Sequence, residues 1–169
     1  MDTDEIRGWI ERWEGRRYEV YEDTMGHPTI GVGFNLDRPD AREVIESLGL
    51  NYEAIRSGAD RPHDQQVDTL FTADVNTAIN DARNAIDNFD DLPEDKQTVL
   101  VDMAFNLGAI GFGQFRNMID AVENQDWTRA ADEMVNSLWY SQVGHRAEAD
   151  VAAMQAPPAP PEPAPGLNY

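Results

Sequence analysis

Residues 13–34 read WEGRRYEVYEDTMGHPTIGVGF, and glycines and a turn divide the stretch into three parts. Before it, Ile6, Trp9, Ile10 and Trp13 recur at the spacing of one helical face, with Asp2 placed to cap that helix and Glu5 to reach back. Gly15 is the natural stop, so Glu14 closes the helix. From Tyr18 to Val32 the pattern changes to short segments rich in Tyr, Val, Thr and Ile, broken by Asp23-Thr24-Met25-Gly26 and by Gly31-Val32-Gly33. That alternation predicts a small antiparallel sheet, ended by Leu36-Asp37-Arg38-Pro39.

Beyond the sheet the chain reads as helices. Two short ones are expected from about Asp40 to Leu48 and from Asn51 to Ser57, ended by Gly49 and Gly58. Between about Asp64 and Asp87 apolar residues recur on one face with no Gly or Pro, which predicts a single long amphipathic helix able to join two lobes. Further helices are expected at roughly Pro93–Leu107, Phe115–Glu123, Trp127–Asn136 and His145–Met154. Gly108, a Gly111-Phe112-Gly113 loop, Asn124 and Gly144 separate them. The proline-rich stretch from Ala156 cannot continue a helix and is expected to be extended chain, a linker or spacer. The reading is thus an α+β domain over residues 1–155 and a tail over 156–169. Within the domain, a mixed lobe covers about 14–60, a linking helix about 64–87, and a helical lobe about 93–155 together with the first helix.

Composition narrows the function. The 169 residues, 41% of them hydrophobic, suffice for one core, at most bilobed. Thirty-two acidic residues against 13 basic ones give a net charge of -19, which argues against a nucleic-acid ligand. Without cysteine, thiol nucleophiles, zinc-thiolate sites and iron-sulfur clusters are excluded. His27, His63 and His145 have no ligand spacing, and neither a calcium loop nor a nucleotide loop is present, so no metal and no cofactor is expected. No Gly-x-Ser-x-Gly elbow occurs. The opening residues lack a basic, apolar leader and no apolar run reaches membrane-spanning length, so a soluble cytoplasmic product without membrane insertion is expected.

Carboxylate chemistry remains. Glu14 at a helix end, Asp23 in a turn and Thr29 at the start of a strand each have an ordinary explanation when taken singly. Together they match what glycoside hydrolysis uses: an acid for the leaving oxygen, a carboxylate that activates water, and a hydroxyl that holds the water.

The run Glu14-Gly15, Tyr21-Glu22-Asp23-Thr24, Gly26 and Thr29-Ile30-Gly31-Val32-Gly33 resembles the active-site signature of phage-type lysozymes, glycoside hydrolase family 24. The likeness continues through Leu70-Phe71, Asp74-Val75, Asp102 to Gly108, Trp127 to Ala131, Ser137 to Gln142 and Arg146, nearly everything except the tail. It implies a lysozyme-like α+β fold with the substrate cleft between a mixed amino-terminal lobe and a helical carboxy-terminal lobe. It further implies Glu14 as general acid, Asp23 as the base that orients the attacking water and Thr29 as the water's holder. Phe105, Asn106 and Arg146 become substrate-binding positions, Arg146 matching an arginine that pairs with the catalytic Glu.

The implied activity is an inverting muramidase that cleaves the β-1,4 bond between N-acetylmuramic acid and N-acetylglucosamine in peptidoglycan. A phage endolysin or a virion lysozyme is the expected setting, the former a monomer held in the host cytoplasm until a separate holin-type pore releases it to the wall. A lytic transglycosylase, which needs a single Glu, and a non-catalytic cell-wall binding module are the alternatives. The retained Asp23 and Thr29 argue against both.

Two departures from the family pattern stand out. Many members carry a histidine after the Gly-x-Gly step that pairs with an aspartate on the long helix; here the position is Phe34, while the aspartate's match, Asp74, remains, so that ion pair is expected to be missing. Familiar members are also basic, whereas this chain is acidic with one lysine, Lys96, a balance reminiscent of adaptation to high salt. His145, where relatives carry a small amide, is expected on the surface.

Overall fold

In the computed structural model, residues 1–160 are described. The chain divides into two compact units: Arg7–Thr77, and Met1–Ile6 together with the chain from Ala78 onward. Helix α1 (Thr3–Glu14) opens the chain, its first turn capped by Asp2 Oδ1, which accepts from the backbone N–H of Asp4 and Glu5 at 2.9 and 3.1 Å. Gly15 ends it with φ +72, a backbone that side-chain-bearing residues avoid.

The Arg7–Thr77 unit contains a three-stranded antiparallel sheet, β1 (Arg17–Glu22), β2 (Pro28–Gly31) and β3 (Phe34–Asn35), in the order β1-β2-β3. The third strand lies just before the expected break at Leu36, where two residues suffice to pair Asn35 with Thr29 and Phe34 with Ile30. Helices α2 (Ala41–Ser47) and α3 (Tyr52–Ser57) follow, and with β2 they bury Ile30, Phe34, Leu36, Ile45 and Ile55 against Leu70 of α4 (Asp64–Ala85).

The histidine–aspartate pair is absent, since position 34 is Phe, but Asp74 has a different cation as its partner. Arg38 donates through Nη1 to both Asp74 oxygens at 2.9 and 3.1 Å, and its guanidinium lies 4.4 Å above the centre of the Phe34 ring. Where a histidine was the familiar partner, this chain places an aromatic platform and brings the cation from four residues further on. Burial pushes the Asp74 carboxyl above its ordinary value, and Arg38 opposes that shift.

In the second unit a single 3-10 turn (Phe89–Asp91) leads to α5 (Glu94–Gly113), followed by α6 (Arg116–Glu123), α7 (Trp127–Val135), α8 (Leu138–Val143) and α9 (His145–Gln155). Residues 96–104 of α5 are all buried, so this is a core helix rather than an amphipathic one. Gly108 breaks it with φ 73 and ψ 169, as expected, yet helical turns resume beyond it, so Gly111-Phe112-Gly113 is helical and not a loop. Helix α8 was not foreseen; its signal is Ser137, whose Oγ accepts from the Tyr140 N–H. No single described helix is long and apolar enough to cross a membrane.

The lone lysine of the chain is fully buried. Lys96 Nζ donates to the carbonyls of Ala153 and Ala156 at 2.7 and 2.6 Å, satisfying the end of α9. At Ala156 the backbone turns to φ -59 and ψ 147, the polyproline geometry expected where the proline-rich stretch begins. Of that tail, residues 161–169 lie outside the described residues.

Candidate active site

Glu14, Asp23 and Thr29 all fall in the Arg7–Thr77 unit. Glu14 is the last residue of α1, half-buried, and its side chain lies against the backbone of Gly33. A Cβ built on Gly33 would stand 2.7 Å from Glu14 Oε2 and 3.0 Å from Cδ, and Gly33 also adopts φ +69. Only glycine meets both demands, which gives the Gly31-Val32-Gly33 step a second purpose beyond ending β2.

Asp23 sits in the turn between β1 and β2. Its Oδ1 accepts from the N–H groups of Met25 and His27 at 2.9 and 2.8 Å, and its own N–H donates to the His27 carbonyl at 2.9 Å. These bonds fix the carboxylate's plane and leave Oδ2 as the oxygen outside that backbone network. Thr29, 2% exposed on the central strand, donates from Oγ1 to the same His27 carbonyl at 2.9 Å, so its oxygen keeps its acceptor lone pairs. His27 thus ties Asp23 and Thr29 together through one carbonyl oxygen.

Sequence reasoning gave His27 no part in this. Its ring Nδ1 lies 2.9 Å from Asp37 Oδ2, and Asp37 Oδ1 lies 2.6 Å from Arg56, an exposed chain of charge that braces the turn. Hydrogen bonding to Asp37 raises the imidazole above its ordinary value, and the same bond, with Arg56, holds Asp37 below the usual carboxylate range. Tyr21 was quoted only as part of a motif. It pairs with Thr29 across the sheet, and burial, Glu14 and Asp23 all push its hydroxyl up while Arg17 opposes them, which marks Tyr21 as a neighbour of both carboxylates.

The other three candidates lie in the helical unit. Phe105 is half-buried in α5. The next residue, Asn106, is exposed, and its Oδ1 accepts from Trp139 Nε1 at 3.0 Å, which leaves the amide NH2 to point its two donors elsewhere. Trp139 is in turn held edge-on by Phe115, with ring centres 6.1 Å apart. Arg146 is 8% exposed and grips Asp102 with a fork: Nε to Oδ2 at 2.9 Å and Nη2 to Oδ1 at 2.8 Å. Asp102 stood in the sequence as a landmark without a role; the signal for one was a carboxylate inside an otherwise apolar run, which burial obliges to find a cation. His145 lies on the surface beside Glu148. Among the described residues no three His, Asp or Glu side chains are grouped as metal ligands.

The arrangement in the sheet unit offers a carboxyl on a rigid glycine floor and a second carboxylate locked by backbone amides beside a threonine hydroxyl. The sequence model of the phage lysozyme family matches residues 11–152. The chain is 27% identical over 158 residues to the probable T4-type lysozyme 2 of Dictyostelium discoideum, covering 89% of this chain and 93% of that protein. Against the probable T4-type lysozyme 1 of the same organism the identity is 24% with the same coverage. It is also 30% identical over 145 residues, 82% of this chain, to the pre-baseplate central spike protein Gp5 of Enterobacteria phage T4, of which the match spans 25%.

Proposed function

Because the chain belongs to the phage lysozyme family and is a glycoside hydrolase of the muramidase type, we propose that it cleaves the β-1,4 bond between N-acetylmuramic acid and N-acetylglucosamine with inversion, using Glu14, Asp23 and Thr29. The observation that carries this reading is the His27 carbonyl, which accepts from both the Asp23 N–H and the Thr29 hydroxyl. A water that donates one hydrogen to Thr29 Oγ1 and the other to Asp23 Oδ2 is oriented with its lone pair outward, toward an anomeric carbon. The Glu14 carboxyl gives its proton to the glycosidic oxygen as the C–O bond breaks, the water adds from the opposite face, and its proton passes to Asp23. The product leaves with Glu14 ionised and Asp23 protonated, and exchange with solvent resets the pair.

Phe105, Asn106 and Arg146 serve the same substrate in this proposal. The free amide donors of Asn106 suit a sugar carbonyl or hydroxyl, and Phe105 a sugar face. The biological setting we propose is a phage endolysin that reaches the wall through a pore made by another protein. The phage lysozyme family supports the phage connection, as does the phage spike relative.

Digestion of purified peptidoglycan with mass analysis of the new ends tests the chemistry. Reducing muramic acid ends are expected, released as the inverted anomer. Anhydro ends would mean a transglycosylase, and no cleavage would mean a binding module. Glu14→Gln and Asp23→Asn should each lower the rate by about 10²- to 10⁴-fold with folding nearly intact, while Glu22→Gln should retain activity. Expression inside bacteria with and without a co-expressed pore former tests the setting: lysis should require the pore.

A further inference from the structure

The chain carries twelve arginines and one lysine, and Lys96 is fully buried. Nine of the twelve guanidiniums bridge to a carboxylate. Arg16, beside the candidate acid in sequence, is held by Glu11, Asp64 and Asp68, and Arg146 by Asp102. Among the described residues, Arg12, Arg17 and Arg116 have no carboxylate within salt-bridge reach. Arg12 lies over its neighbour Trp13, and Arg116 borders a cavity of about 190 Å³ in the helical unit.

Arg17 differs from the other two in its place. It is exposed, and it lies on β1 opposite Gly31, while Tyr21 lies opposite Thr29. Four residues of β1 therefore advance against two of β2, and the bulge turns the Arg17 side chain back over the Tyr21 ring, 4.3 Å from its centre. Tyr21 in turn feels both Glu14 and Asp23. The stacking restricts the guanidinium's rotamers while its edge, which carries the N–H donors, stays open to solvent. The result is a preorganised, unneutralised cation three residues from the candidate acid, in a molecule whose net charge is -19.

We propose that Arg17 is a substrate contact that receives a carboxylate of the wall polymer, from the lactyl group of muramic acid or its attached peptide, next to the bond that is cut. This rests on the muramidase reading of the same site. A polyanionic chain approaching an acidic protein is repelled at long range, and one local guanidinium that can bind a carboxylate through two N–H donors reverses that at contact. Carboxylated and neutral glycans are then distinguished by Arg17, not by the catalytic groups.

The test compares wild type, Arg17→Gln, Arg17→Lys and, as a charge-matched control, Arg42→Gln, which removes a guanidinium that already bridges Glu46 and Glu53. Each is co-sedimented at 4 °C with insoluble wall fragments, either native or with their carboxyl groups converted to amides, at about 0.02 and 0.3 M salt. Release of reducing ends is measured in parallel. Arg17→Gln should weaken binding and raise KM on native walls by about 5- to 10-fold at low salt with kcat within about two-fold, and should match wild type on amidated walls. Arg17→Lys should fall between, and Arg42→Gln should match wild type throughout. Equal binding of wild type and Arg17→Gln to native walls overturns the proposal, as does an equal loss on amidated walls. Walls that bind in an Arg17-dependent way but are not cut would sink the muramidase reading and leave this contact standing; walls that are cut with no Arg17 dependence would do the reverse. If Arg17→Gln fails to fold, the native-against-amidated ratio of Arg17→Lys relative to wild type carries the test, and an unchanged ratio overturns the proposal.

Discussion

Among the described residues, no buried charged side chain lies in the Arg7–Thr77 unit and all of them lie in the helical unit. In the first, guanidiniums lie near the surface in shared networks: Arg16 serves Glu11, Asp64 and Asp68, and Arg38 serves Asp40 and Asp74. In the second, Lys96, Asp102 and Arg146 are buried, and the bonds from Lys96 to Ala153 and from Arg146 to Asp102 tie α5 to α9. A surface pair that loses one member is rehydrated, so it contributes little; a buried pair that loses one member leaves a desolvated charge. The candidate catalytic groups sit in the Arg7–Thr77 unit, where backbone amides and the His27 carbonyl hold Asp23 and Thr29 and the Gly33 backbone lies against Glu14.

The contrast is broken most sharply at Asp102. Asp102→Ala removes the fork that Arg146 grips and should cost about 3–5 kcal/mol in urea unfolding, whereas Arg42→Ala, which loses two exposed bridges, should barely move the unfolding midpoint, and less still in salt. Equal costs would show that burial does not separate the two units.

Next in size is Gly33→Ala. The new Cβ must displace Glu14 Oε2, and the residue must hold φ +69, so a stability loss of about 1–2 kcal/mol is expected with a fall in activity of about 10²-fold. Measuring kcat and the unfolding midpoint on one preparation checks it. An active Gly33→Ala would mean that the glycine floor does not position the acid.

The smallest effect is expected at His27. Its raised value means that its contribution is fully present below the ordinary imidazole value and is lost as pH rises through the folded one. The lowered Asp37 contributes above the ordinary carboxyl value, and that share is lost as pH falls through its folded one. The pair is therefore strongest between about pH 4 and 6.5. Thermal melts at about pH 5.5 and 8.5 should show a drop for wild type that shrinks in His27→Gln. An identical drop in the two proteins would remove the imidazole from the brace. The backbone triangle joining Asp23, His27 and Thr29 should survive the substitution, since it uses no His27 side-chain atom.

Much of the fold was legible because its signals are local. The stop at Gly15, the turn at Asp23, the long uninterrupted helix and the break at Gly108 follow from capping, turn chemistry and periodicity over a few residues. The resumption of helix across Gly111-Phe112-Gly113 was not legible, because glycine's low helical propensity is overridden once Phe112 is fully buried. At the candidate site, residue types and spacing pointed to Glu14, Asp23 and Thr29, but not to the Gly33 floor or the His27 carbonyl, since backbone hydrogen bonds leave no mark on side-chain identity.

By itself, then, the sequence determined the α+β class and the order of the elements except α8, and it pointed to carboxylates for the chemistry. Only the tertiary structure decided which charge meets which. Arg38 reaches Asp74 across 36 positions, Arg146 reaches Asp102 across 44, and Lys96 reaches Ala156 across 60. Local propensity acts over one or two turns of chain, whereas a buried ion's partner is chosen by desolvation, and desolvation depends on which surfaces the whole chain brings together. The same holds for Arg17: one more arginine in the sequence, it is distinguished by the bulge that turns it over Tyr21, while carboxylates hold nine of the other eleven.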